Sequence, residues 1–524
     1  MYKRITAIGA AILACAMLPS FVSAHPHELG EVYVPWTDKL SEGKWLTSGP
    51  TTAAAPSGAP AAVAGAGGMS LVGNVDKDGT TNTDLAFWGN YVYAGNYDGF
   101  SILDVTNRSQ PQTLVSFPCR SVQNDVGVWD TGPNHGSKRL LFASVDSPRP
   151  NADCVDLVTT DGVTPPQPPQ TPHEGSFEGL RIFDVTTPES PIYLKAVSTA
   201  CGSHTHSVVP VRQTGGSGDE REFVLDSQNP DRVFVYVSSY PLAAVNQPGC
   251  TPPHNKISIV EVPFDDPAAA AVLKEVPLLP TTLGFPAQES QGCHDIGVFI
   301  ELGIAAGACQ GEGQIWDISD PANPDTMGAQ RIFNEQINYF HSATLTWDGK
   351  YVIFGDEEGG AAITHACVNP GTGLGGTGST WFYDRAKLAD SAPPNTQEDG
   401  SYTQARQQIT EGATICTAHN YNVIPVSDRY LLTSAYYEAG TSVLNFTDLD
   451  NVREIAFFDA AGGDVNPGAS EPNPKSDTWS SYWYRGNAFA NDINRGVDIF
   501  SLTGPPATRV AGARILDRLN PQTQ

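Results

Sequence analysis

Short runs in which apolar and polar residues alternate, broken by turn residues, recur along most of the chain. In the clearest case HSATLTW (341–347) leads into an Asp348-Gly349 turn and then YVIFGDEE (351–358). A period of two, with Asp-Gly between the runs, predicts two antiparallel strands joined by a tight turn. HNYNVIPVSDRYLLTSAYYE from His419 and TDLAFWGNYVYAGNYDG from Thr83 repeat the plan.

Each such pair is followed by a third run built on one phrase. The copies are GFSILDVTNRSQPQTL from Gly99, GLRIFDVTTPESPIYL from Gly179, KISIVEVPFDDP from Lys256, GQIWDISDPANPDTM from Gly313, TWFYDRAKLADSAP from Thr380, TSVLNFTDLDNVREI from Thr441 and GVDIFSLTGP from Gly496. A fourth run comes next, as in PQTLVSF and VREIAFFD. Spacings of roughly 50–80 residues are too long for a solenoid and suit four-stranded blades with insertions. The expected fold is all-β, a seven-bladed β-propeller with four-stranded blades and long rim insertions, spanning residues 70–505.

The third-strand phrases resemble the LVIVD-repeat family, whose members are secreted β-propellers. The resemblance implies architecture and carries almost nothing about activity, because one propeller scaffold hosts many chemistries.

Outside the repeats, residues 1–24 have a basic start (Lys3, Arg4), an apolar run and a Val22-Ser23-Ala24 site, the layout of a secretory signal. Residues 25–69 read as an N-terminal segment and low-complexity linker, and residues 506–524 as a C-terminal tail. Periplasmic or secreted localisation is expected. No other stretch is long and apolar enough to span a bilayer. Loss of Lys3 and Arg4 with the signal takes the formal charge from −27 to −29, which argues against nucleic acid or anionic lipid as partner. The sequence leaves the oligomeric state open.

Beyond Cys15 there are eight cysteines, an even number in an exported chain. Cys119, Cys201, Cys293 and Cys416 precede first strands; Cys154, Cys250, Cys309 and Cys367 follow second strands, at the same end of the fold. The expected bridges are Cys119–Cys154, Cys201–Cys250, Cys293–Cys309 and Cys367–Cys416, with Cys293 as a thiolate ligand the alternative.

Aligning the starts of the innermost strands gives Thr83, Asn124, His206, His294, His341, His419 and Tyr482. Innermost strands of a propeller surround its axis, so His206, His294, His341 and His419 are expected to converge as a metal centre. Neutral imidazoles suit zinc, iron or copper, while acidic loops leave room for a separate calcium ion. Second strands return to the same mouth and bring Glu357, Glu438 and Tyr437 as candidate catalytic groups. Phe340, Tyr421, Tyr436, Tyr482 and Trp483 are the candidate substrate-binding aromatics. The expected activity is hydrolytic or eliminative cleavage of a small, aromatic molecule by metal-activated water. An iron or copper oxygenase or oxidase at the same centre, and a non-enzymatic scaffold binding protein or glycan, are the alternatives.

Overall fold

The structure is a computed structural model that describes residues 65–76, 81–121, 123–149, 151–154, 176–240, 250, 254–279, 292–357, 367, 378–388, 396–406, 415–460 and 475–523. The signal-like segment 1–24, the linker up to residue 64 and much of the expected rim insertions lie outside the described residues.

Alternation in the sequence becomes antiparallel meanders arranged like the blades of a propeller. Five sheets have four or five strands, and a sixth has nine. The nine-stranded sheet contains two meanders, joined where their inner strands Asn420–Ile424 and Thr478–Tyr484 pair in parallel through Asn420↔Ser480 and Tyr421↔Ser481. Burial falls from the inside outward. Every residue of the inner strand Phe340–Leu345 is buried, whereas the outer strand Gln112–Pro118 is mostly exposed or half-buried. Inner strands are covered on both faces by neighbouring sheets, so their apolar residues need not alternate with polar ones.

The core lies between sheets. Leu85, Phe87 and Val92 near the start of the chain pack with Tyr482, Phe489 and Ile499 near its end, which closes the ring. The strand Met69–Val75 reinforces this closure by pairing with Gly496–Leu502 as the outermost strand of the last meander. Gly65–Gly67 adds to Arg453–Asp459.

Residues 506–523, expected to be a tail, belong to the fold. Arg518–Leu519 pairs with Asn82–Trp88. Asn520 then spans the backbone of Val128 through both ends of its amide, at 2.8 and 2.9 Å. Val298 N–H donates to Gln522 O at 2.7 Å, and Thr523 Oγ1 donates to Val208 O at 2.9 Å. The inner strands of three consecutive meanders are thus tied together.

All four expected disulfides are formed: Cys119–Cys154, Cys201–Cys250, Cys293–Cys309 and Cys367–Cys416. Among the described residues no helix is long and apolar enough to cross a membrane.

Candidate metal centre

Inner strands start irregularly. Pairing shifts between Asn82 and Leu85, Gln123 and Val126, Phe340 and Ser342, and Thr478 and Ser480. An extra residue at such a bulge re-aims its side chain, and His341 is the bulged residue in its strand.

His204, His294 and His419 reach the same level by another route. Each sits just before its inner strand and donates its backbone N–H to the last residues of the second strand: to Ser238, Ala308 and Ala435 respectively. The four histidines that converge are therefore His204, His294, His341 and His419. His206 is not among them. Its Nδ1 lies 3.0 Å from Asp125 Oδ2 and 2.9 Å from Ser144 Oγ, and its Nε2 faces Gly127 so closely that a Cβ there would sit 2.7 Å away. Strand side chains repeat every two residues, so His204 and His206 share a face, but two residues of rise separate them by about 7 Å. That displacement takes His206 below the mouth.

Imidazole rings follow one another around the mouth. Centroids are 4.3 Å apart for His204 and His294, 3.7 Å for His294 and His341, and 4.3 Å for His341 and His419. Their Nε2 atoms point inward: His204 Nε2 and His294 Nε2 are 2.7 Å apart, while His341 Nε2 and His419 Nε2 lie 3.4 and 3.6 Å from the Glu357 carboxylate. Two of the four Nδ1 atoms, those of His204 and His419, are held by acceptors. His204 Nδ1 is 3.0 Å from Asp146 Oδ2, His294 Nδ1 is 3.5 Å from Asp295 Oδ1, and His419 Nδ1 donates to Trp479 O. His294 Nδ1, despite its approach to Asp295, and His341 Nδ1 are buried and have no hydrogen-bond partner. An Nδ1–H held by an acceptor leaves the Nε2 lone pair free for a metal ion. Among the described residues, His294, His341 and Glu357 present ligand atoms that all lie within 4.8 Å of one another.

Electrostatics favour the neutral imidazole at His294, His341 and His419. Burial pushes His294 and His341 well below the usual histidine range, and neighbouring histidines push in the same direction. Burial takes His419 down to about 3. Conversely, burial raises Glu357 to about 8, opposed by the hydrogen bond that Tyr437 OH donates to it at 2.5 Å. Asp295 is raised to about 7, again by burial. Groups held out of their charged forms this way suit a site that exchanges protons for a cation.

Of the candidate catalytic residues, Glu357 and Tyr437 stand at the imidazoles; the Tyr437 ring centroid is 4.6 Å from that of His419. Tyr437 has a φ of 43°, strained for a non-glycine residue. Glu438 is differently engaged: its carboxylate accepts the Ile415 N–H at 2.9 Å and pairs with Lys475.

The five candidate substrate-binding aromatics are core residues. Phe340 packs edge-on to Phe354, and Trp483 lies in an apolar cluster with Ile424 and Phe500. Tyr421 OH donates to Ser342 O, Tyr436 OH meets Thr380 Oγ1, and Tyr482 OH donates to Asp84 Oδ1. All five rings are packed in the apolar clusters between sheets. The rings in contact with the imidazoles are Tyr240, Tyr339, Tyr437 and Trp479.

His204, Gln123, Asp146 and Tyr240 escape the sequence reading. Only His204 left a signal, since CGSHTHS offers two histidines on one strand face.

A family model described as the LVIVD repeat matches residues 79–117. No match was found among functionally curated proteins. Among solved structures the chain is similar to the computationally designed Ika8 protein, at 9% identity over 82% of this chain and 99% of that one, TM-score 0.37. It is also similar to Chaetomium thermophilum Raptor, at 11% identity over 83% of this chain and 29% of that one, TM-score 0.42. A third likeness is to BBS1N in complex with ARL6DN, at 10% identity over 84% and 98%, TM-score 0.45. Likenesses this distant carry no argument about activity. The chain thus carries an LVIVD repeat on a propeller-like arrangement of small β-sheets.

Proposed function

We propose that this chain is an exported, seven-bladed propeller enzyme that binds one divalent transition metal, zinc, iron or copper, and cleaves a small aromatic substrate. The observation that carries the reading is the convergence of four buried imidazoles, from His204, His294, His341 and His419, with the Glu357 carboxylate. Desolvating so many titratable groups is costly unless a cation satisfies their lone pairs.

The seven-blade count is supported by the apolar clusters: among the described residues each of seven bridges consecutive meanders, including the last to the first. Four disulfides support an oxidising compartment.

The bound ion would supply a polarised water as nucleophile. Glu357, bridged to Tyr437, is the proton carrier, because its carboxyl stands 3.4 Å from His341 Nε2 and its proton is held by burial. Tyr240, Tyr339, Tyr437 and Trp479 form the wall against which a flat ring packs. Two histidines and one carboxylate, His294, His341 and Glu357, are also a donor set that would hold non-haem iron, which keeps an oxygenase as the second reading.

Elemental analysis of the native protein, compared with His294→Ala and His341→Ala variants, tests the proposal. One equivalent of a transition metal in the native chain, reduced at least tenfold in both variants, is expected. Full retention in the variants, or no metal in the native chain, overturns it and favours a non-enzymatic scaffold. Zinc supports hydrolytic or eliminative cleavage; iron or copper moves the assignment to oxidation.

A further inference from the structure

Gln123 opens the inner strand Gln123–Asp130 with a φ of 74°, a left-handed conformation that glycine would adopt without strain. Its side chain explains why a larger residue occupies the position. Gln123 Nε2 lies 2.8 Å from His204 Nε2, and Gln123 Oε1 is buried without a hydrogen-bond partner. On the same nitrogen, Tyr240 OH lies at 3.1 Å and His294 Nε2 at 2.7 Å. His204 Nδ1 is committed to Asp146, so Nε2 offers a single lone pair. One lone pair satisfies one donor, and here three groups crowd around it.

A metal ion on that lone pair would release both the Gln123 amide and the Tyr240 phenol toward whatever non-protein ligand the ion carries. Both are neutral and belong to the second and third meanders, opposite in chain order to the Glu357 and Tyr437 pair of the fifth and sixth. We propose that Gln123, together with Tyr240, is a positioning residue for the exchangeable ligand of the metal, hydrogen-bonding a bound water, anion or substrate oxygen on the His204 side. The inference rests on the metal reading above.

The test uses the full mature chain loaded with Co²⁺ and titrated with azide, followed by visible absorption. Gln123→Ala, Gln123→Gly and Tyr240→Phe are each expected to bind one Co²⁺ within about threefold of the native affinity and to bind azide about tenfold more weakly, the effect of one lost hydrogen bond to an ionised group. Gln123→Gly relieves the backbone strain, so a stable glycine variant with the same azide defect isolates the side chain, and it carries the test if the alanine variant does not fold. Azide affinity within twofold of native in the glutamine variants overturns the inference and leaves the metal site standing. So does loss of Co²⁺ from them, which would make Gln123 a ligand or a structural residue. A native chain that binds no Co²⁺ overturns both.

Discussion

Asp146 is fully buried and holds His204 through Nδ1 at 3.0 Å. Its carboxylate fixes the imidazole's tautomer and orientation, so Asp146→Asn should weaken metal affinity by about 10–100-fold, the usual effect of losing such a partner. Competition with a chelator measures this, and unchanged affinity would place His204 outside the metal's ligands. Glu178 offers a test independent of any metal. Burial raises its carboxyl to about 7, with Asp146 adding in the same direction. Between its unfolded value near 4.5 and about 7 the folded chain binds the extra proton, so this stabilisation is present below pH 4.5 and lost as pH rises to 7. Relative to Glu178→Gln, the native protein should therefore lose on the order of 2–3 kcal/mol across that window, read from denaturant unfolding at fixed pH. A pH-independent difference would show that Glu178 titrates normally. His419 works in the opposite sense: neutral down to about 3 when folded, it removes stability as pH falls below 6.5. At this scale the sequence supplied residue types and approximate positions. His294, His341 and His419 stand where the repeat puts them, but His206 does not, because period-two alternation leaves a two-residue shift invisible.

Strand starts and chain ends are where elements depart from a regular meander. The Cys293–Cys309 bridge closes a loop of 16 residues between the first and second strands of one meander. Its reduction should cost about 3 kcal/mol by limiting the unfolded chain less, and His294, adjacent to Cys293, should lose its placement. A Cys293→Ala/Cys309→Ala variant with native stability and metal content would contradict this. The C-terminal segment ties inner strands together through Asn520, Gln522 and Thr523, and Gln522 Nε2 also donates to Asp84 Oδ2 at 3.0 Å. Deleting residues 519–524 should destabilise the fold by about 3–5 kcal/mol at about 1 kcal/mol per lost hydrogen bond, seen as a lower Tm. An unchanged Tm would mean that the inner strands hold without the clasp. Nothing in the string RLNPQTQ signals this role. Polar residues at a terminus read as tail until the channel that receives them exists.

For the whole molecule, ring closure decides what faces what. The strand Met69–Val75 completes the last meander, and apolar clusters seal each gap between sheets. By itself the sequence determined the all-β repeat, the third-strand phrase, the four cysteine pairings and the end of the fold that gathers histidines. Those features are local or periodic: alternation sets the strand faces, turns set the hairpins, and repetition puts equivalent residues at equivalent heights. Tertiary structure alone decided which of two histidines stands at the mouth, that Phe340, Tyr421, Tyr436, Tyr482 and Trp483 belong to the core, and that Gln123, Asp146 and Tyr240 meet His204. These depend on bulges that shift register by one or two residues and on distances across a central axis, where residues far apart in sequence come within hydrogen-bonding reach only after the ring has closed.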